Sequence, residues 1–158
     1  MTSGYQKAFM SLAVAEARAG IRSGHGGPFG SVIVKDGRVI ASGHNCVLKN
    51  NDSTCHGEIS AIRKAEKKLE TFNLSDCELY TTAEPCPMCL GVILWANISK
   101  VYYGCTVEDT AKIGFRDKKF EKLLNENHEA LRKMLEQHDR EMCLELFDEH
   151  NALDKTIY

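Results

Sequence analysis

The stretch Pro85-Cys86-Pro87-Met88-Cys89 constrains this chain more than any other. It lies between Cys77 to Thr82, which reads as a short strand, and an apolar run from Met88 to Ala96 that reads as a well-buried helix. A C-x-x-C on the first turn of a helix points both sulfurs to one side. A helix N-terminus also favours the thiolate form that a metal requires. Strand-to-helix junctions of this kind are where sites on open α/β sheets usually form.

The rest of the chain supplies the sheet and helices such a junction needs. Between Tyr5 and Ile21, residues Phe9, Leu12, Ala13, Ala17 and Ile21 recur at three- and four-residue steps and predict a helix with one apolar face. Gly24, Gly26, Gly27 and Pro28 break it. Ser31 to Lys35 and Arg38 to His44 then flank Asp36-Gly37, a strong two-residue hairpin signal. Thr54 precedes a predicted helix with Ile59, Ile62, Ala65 and Leu69 on one face, Glu58 in the first turn, and Lys67 and Lys68 in the last. Lys100 to Cys105 reads as another strand. Phe120 to Leu135 and Glu141 to Asn151 read as helices by propensity and spacing. Strand alternating with helix after an opening hairpin predicts an α/β sandwich with a mixed sheet.

A chain of 158 residues is the size of one domain, so a single domain is expected. With 22 acidic against 20 basic side chains there is no global positive field, which argues against nucleic acid as a partner. No apolar run is long enough to span a bilayer and no signal-peptide pattern opens the chain, so a cytoplasmic location without membrane association is the expectation. Seven cysteines in such a chain read as metal ligands or buried small residues rather than a disulfide framework. Cys46, Cys77, Cys105 and Cys143 are assigned to buried packing.

The remaining motif is His56-Gly57-Glu58 at the start of the second long helix. One imidazole with Cys86 and Cys89 gives zinc three protein ligands and leaves the fourth tetrahedral position open for water, whose pKa on a catalytic zinc falls to about 7. Glu58 is placed to move protons between that water, a ring nitrogen and a departing amine. Two other readings stay open at this stage. The cysteine pair alone also fits a thioredoxin-like redox site, and Cys55 could close a structural zinc site, although adjacent helical residues point about 100° apart.

H-x-E followed by P-C-x-x-C is the signature of zinc deaminases, and on these motifs the chain resembles the cytidine-deaminase-like superfamily. From about Ala8 to Asp117 it is most similar to bacterial guanine deaminases, on Gly26-Gly27-Pro28-Phe29-Gly30, Val32 to Gly37, Glu84 to Gly91, and Gly114-Phe115 with Asp117. His56 to Ser60 also resembles fungal cytosine deaminase, and Glu84 to Cys89 is shared with tRNA adenosine deaminases. The resemblance implies a three-layer α/β/α sandwich with a mixed five-stranded sheet, the fifth strand falling in the last third. It implies one zinc per subunit on His56, Cys86 and Cys89, with Glu58 catalytic. It places Asn45, Phe29, Trp95, Asp117 and Tyr158 around a small nucleobase, and it implies a homodimer in which a C-terminal segment, about 140–158, is swapped onto the partner. Guanine is the substrate it favours, with cytosine and tRNA adenosine as alternatives.

Overall fold

Asp36 and Gly37 turn the chain with φ of 49° and 70°, the left-handed pair that a tight hairpin requires. The turn joins β1 (Gly30–Lys35) to β2 (Arg38–His44) in antiparallel register, Gly30 opposite His44 and Lys35 opposite Arg38, with an irregularity between Ile33 and Val34. The other edge of β1 pairs antiparallel with β3 (Cys77–Ala83), which pairs parallel with β4 (Lys100–Cys105). The sheet is mixed, in the order β2-β1-β3-β4. This computed structural model describes residues 4–126, 128–154 and 156–157. The chain divides into two units, Met1–Lys118 and Lys119–Tyr158.

Side chains alternate across a strand, and in β1 both faces are apolar and buried. Val32 and Val34, with Tyr80 of β3, pack on Phe9 and Ala13 of α1 (Lys7–Arg22). Ile33 and Leu79 point the other way, against Ala61, Ile62 and Ala65 of α3 (Gly57–Leu69) and Ile93 of α4 (Pro87–Trp95). Three layers follow from that one alternation. Tyr80 anchors the α1 side: its ring meets Phe9 edge-on at 5.3 Å and its hydroxyl accepts the Gln6 N–H at 3.1 Å.

The inward face of α1 differs from the predicted one. Phe9, Ala13, Ala17 and Gly20 are buried, whereas Leu12 and Ile21 are exposed. Small residues face the sheet because the backbones come close: a Cβ on Gly20 would stand 2.6 Å from the His44 ring, and one on Gly30 would strike α1 at Ala13 and Ala17.

Helix α4 is not well buried in this chain. Only Cys89 and Ile93 are fully covered, while Leu90, Leu94 and Trp95 are exposed. Its composition is apolar on every face, so the sequence carried no signal for which side turns outward. Cys77 is buried as expected, but Cys46 is half-buried and Cys105 and Cys143 are exposed, contrary to their assignment to packing.

The fifth strand implied by the resemblance is absent among the described residues, where the sheet has four. After α5 (Val107–Lys112) the chain forms α6 (Asp117–Glu126), α7 (His128–Met134) and α8 (Arg140–Asn151). These segments are rich in Lys, Glu, Leu, Arg and Met, and helix propensity prevails there. Within Lys119–Tyr158, pairs such as Lys133 Nζ with Glu129 Oε1 at 3.0 Å add helix-face support. A four-residue helix, α2 (Val47–Asn50), was not foreseen; Asn51 ends it at φ 49°.

Candidate active site

Two helix starts face each other across the end of the sheet. His56 is the N-cap of α3 and Cys86 the N-cap of α4, both in extended backbone conformation, with Pro87 in the first turn of α4. Upstream of α4, the Glu84 N–H donates to the Cys105 carbonyl at 2.8 Å and Glu84 Oε2 accepts the Val107 N–H at 3.1 Å, which fixes the junction to β4 and α5. The chain thereby brings His56 to Cys86 and Cys89 from 30 and 33 residues away.

His56 Nδ1 lies 3.6 Å from Cys86 Sγ and 3.5 Å from Cys89 Sγ. A tetrahedral zinc with Zn–S of about 2.3 Å and Zn–N of about 2.05 Å sets its nitrogen and sulfur ligands about 3.6 Å apart. Both nitrogen-to-sulfur spacings are therefore those of a zinc tetrahedron, and the donor set fits that ion. Cys55 is not part of this cluster: Asn50 Nδ2 donates to its sulfur at 3.5 Å, so a closed four-ligand site is not formed by the described residues.

The protonation of each group follows from its neighbours. The hydrogen bond from Cys89, with His56 adding to it, pulls the Cys86 thiol down to about 4. The same bond pushes Cys89, as the donor, upward. The contact with Cys86 holds His56 above the usual imidazole range. Glu58 is 6% exposed, and burial raises its carboxyl above the usual carboxylate range. It lies one helical residue past Gly57 yet reaches Cys89, because His56 is a cap outside the helix and the first turn of α3 faces the sulfurs.

The predicted substrate residues divide into those the fold gathers and those it does not. Asn45 is 4% exposed at the end of β2; its Oδ1 accepts the Val47 N–H at 3.1 Å, and its amide nitrogen has no partner among the described residues. Gly26 is glycine because a Cβ there would collide with that Asn45 side chain. Phe29 is half-buried and meets Phe115 edge-on at 4.8 Å. A Cβ on Gly27 would stand 2.7 Å from Phe115 Cζ and 2.8 Å from Phe29 Cε2, so Gly-Gly-Pro-Phe forms a wall that admits no larger residue. Asp117 opens α6, and burial together with the negative charge of Cys86 raises its carboxyl, which places it within electrostatic reach of Cys86 and His56. Trp95 stands apart from this group, 67% exposed at the far end of α4 from Cys86. Tyr158 lies outside the described residues. Phe115 was missed as a site residue although Gly114-Phe115 stood beside Asp117 in the sequence; nothing local marks its ring as the partner of Phe29.

An α/β sandwich that offers one imidazole and two cysteine sulfurs at two helix starts, with a buried carboxyl group against the sulfurs, defines a zinc-dependent deaminase. The cytidine and deoxycytidylate deaminase zinc-binding region matches residues 4–105. The chain belongs to that family. It is 53% identical over 109 residues to the guanine deaminase of Bacillus subtilis, covering 69% of this chain and 70% of that one. The X-ray structure of guanine deaminase from Bacillus subtilis superimposes with a TM-score of 0.86 and 39% identity, over 98% of this chain and 99% of that one. The tRNA-specific adenosine deaminase of Agrobacterium fabrum is 47% identical over 97 residues, covering 61% of this chain and 62% of that one.

Proposed function

We propose that this protein hydrolyses guanine to xanthine and ammonia, using His56, Cys86 and Cys89 as zinc ligands and Glu58 as the proton carrier. The observation that carries the choice of base is the extent of the structural likeness. It runs over 98% of the chain to a guanine deaminase with a TM-score of 0.86, beyond the family's zinc-binding region, whereas a tRNA:A34 deaminase structure superimposes on 63% with a TM-score of 0.61.

Zinc bound at this cluster would acidify a coordinated water and so provide a nucleophile at neutral pH. The residues of the chain do the rest. Glu58, kept basic by its buried position, would accept a proton from the attacking water and pass it to a ring nitrogen of guanine, then take the proton of the hydroxyl so added and deliver it to the amine, which leaves as ammonia while the carbonyl forms. Asn45 offers an amide donor to the purine edge while its oxygen is held by Val47. The Phe29 and Phe115 rings supply an apolar wall that keeps bulk water from the base. Asp117, with its carboxyl raised, is suited to hydrogen-bond the exocyclic amine.

The same reading places the enzyme in a homodimer whose C-terminal segment, about 140–158 and including Tyr158, covers a neighbouring subunit's site. Exposed Met142, Leu146 and Phe147 on α8, and exposed Leu90 and Leu94 on α4, are apolar surface that such an assembly would cover. No helix of the described residues is long and apolar enough to cross a membrane, and seven unpaired cysteines suit a reducing cytoplasm.

Ammonia release from guanine, guanosine and cytosine, run beside inosine formation in a tRNA transcript, tests the assignment. Guanine should be turned over far faster than the others. A zinc-loaded preparation that releases no ammonia from guanine would sink it, and inosine formation would move the substrate to RNA.

A further inference from the structure

A second cluster of metal-ligating side chains lies outside the site described above. The ligand atoms of His25, His44 and Cys46 all fall within 4.8 Å of one another, and all three residues are half-buried. His25 and His44 stack with ring centroids 5.1 Å apart, and His25 Nδ1 and His44 Nε2 share a hydrogen bond of 2.8 Å. We propose that these three residues form a second cation site, separate from the His56 centre, that takes zinc or another borderline ion preferring imidazole and thiolate.

The surroundings are built for a ligand rather than for packing alone. His44 Nδ1 donates to Glu16 Oε2 at 2.9 Å, which fixes the tautomer and leaves Nε2 with a lone pair directed at His25, with the Cys46 sulfur within 4.8 Å. A carboxylate behind a histidine is the arrangement that orients metal-bound imidazoles and raises their basicity. Glu16 is itself held by the Ser42 hydroxyl. Gly20 leaves the space the His44 ring occupies. The His25 backbone is pinned from both sides, its N–H donating to the Gly20 carbonyl and its own carbonyl accepting the N–H groups of Leu48 and Lys49. The Cys46 N–H donates to the Cys55 carbonyl at 2.9 Å.

The spacing shows what occupies the position between the rings without an ion. Two imidazole nitrogens on one tetrahedral zinc stand about 3.4 Å apart. The observed 2.8 Å is the spacing of a shared proton. An ion entering there takes the place of that proton, which moves to His25 Nε2; it releases the thiol proton of Cys46 to solvent and widens the ring pair by about half an ångström. Three protein donors again leave a fourth position for water. Two nitrogens and one sulfur suit zinc or copper and disfavour magnesium and calcium, which prefer oxygen.

Equilibrium dialysis of the full-length protein, stripped with chelator and returned to zinc-buffered solution, with metal counted by mass spectrometry, tests this. The wild-type chain should take two zinc ions in two separable steps. His25→Ala and Cys46→Ala should each take one, the retained ion reporting an intact His56 centre. Glu16→Gln keeps the size of the side chain and removes its charge; it should weaken the second step by roughly 10- to 100-fold and leave the first unmoved. Saturation of the wild type at one ion would overturn the proposal, as would two ions bound by both the His25 and the Cys46 variants.

Discussion

Gly27→Ala asks the structure for a number. The new methyl group would stand 2.7 Å from Phe115 Cζ and 2.8 Å from Phe29 Cε2, each closer than real Cβ contacts, so at least one ring must move. Overpacking of this kind costs about 1–3 kcal/mol when neighbours are fixed. Phe115 is 37% exposed and can swing outward, giving up an edge-to-face pair worth about 0.5–1.5 kcal/mol, so the expected loss is about 1–2 kcal/mol. With a urea slope of roughly 2 kcal/mol/M, the unfolding midpoint falls by about 0.5–1 M at one fixed free-zinc concentration. The double variant Gly27→Ala/Phe115→Ala removes the ring tip that obstructs the methyl group. Its loss should therefore be smaller than the sum of the two single losses by at least about 0.5 kcal/mol. Additive losses, or a Gly27→Ala midpoint equal to wild type, would refute the claim that these rings require a glycine wall.

Glu58→Gln should lower turnover by about 10²- to 10⁴-fold with zinc content unchanged, measured by ammonia release beside metal analysis. Chelation should destabilise the protein: a ligand at 1,000 times its dissociation constant adds about 4 kcal/mol, which for a chain this size moves the melting temperature by about 10 °C. A thermal scan with and without chelator reads that shift, and Cys86→Ser should abolish most of it. Asn45→Ala should reduce kcat/KM by roughly 10- to 100-fold and cost about 1 kcal/mol of stability, because one side chain serves both the substrate and the Val47 N–H. Asn45→Asp keeps the acceptor for Val47, so it should recover the stability and not the activity.

What the sequence disclosed follows from the range over which each signal acts. Asp36-Gly37 determines a turn by its own backbone preference, and β2 and β4 fall on their expected bounds of Arg38–His44 and Lys100–Cys105. The cluster of His56, Cys86 and Cys89 was legible because C-x-x-C and H-x-E are local patterns that, taken together and in this order, point to one chemistry. Helices over the last third were legible from propensity; importing a fifth strand from the resemblance overrode a sound reading of Lys- and Glu-rich segments. Features made by distant segments were hidden. The outward face of α4 depends on what the sheet covers, and the exposure of Trp95 follows from it. The Phe29–Phe115 pair, and the approach of His25 to His44, exist only once the Gly24–Pro28 loop has folded back on the strand ends.

The proposed zinc ligands also set an order of events for the folding chain. His56 and Cys86 are 30 residues apart, and between them the chain must complete α3 and then lay β3 antiparallel against β1, Lys35 opposite Cys77. The hairpin β1–β2 is a local pairing that closes within microseconds, while the β1–β3 pairing spans more than 40 residues and must wait for a longer loop to close. The two helix starts cannot face one another until that slower pairing exists. Metal capture is therefore a late event, and its rate reads out the arrival of the central strand.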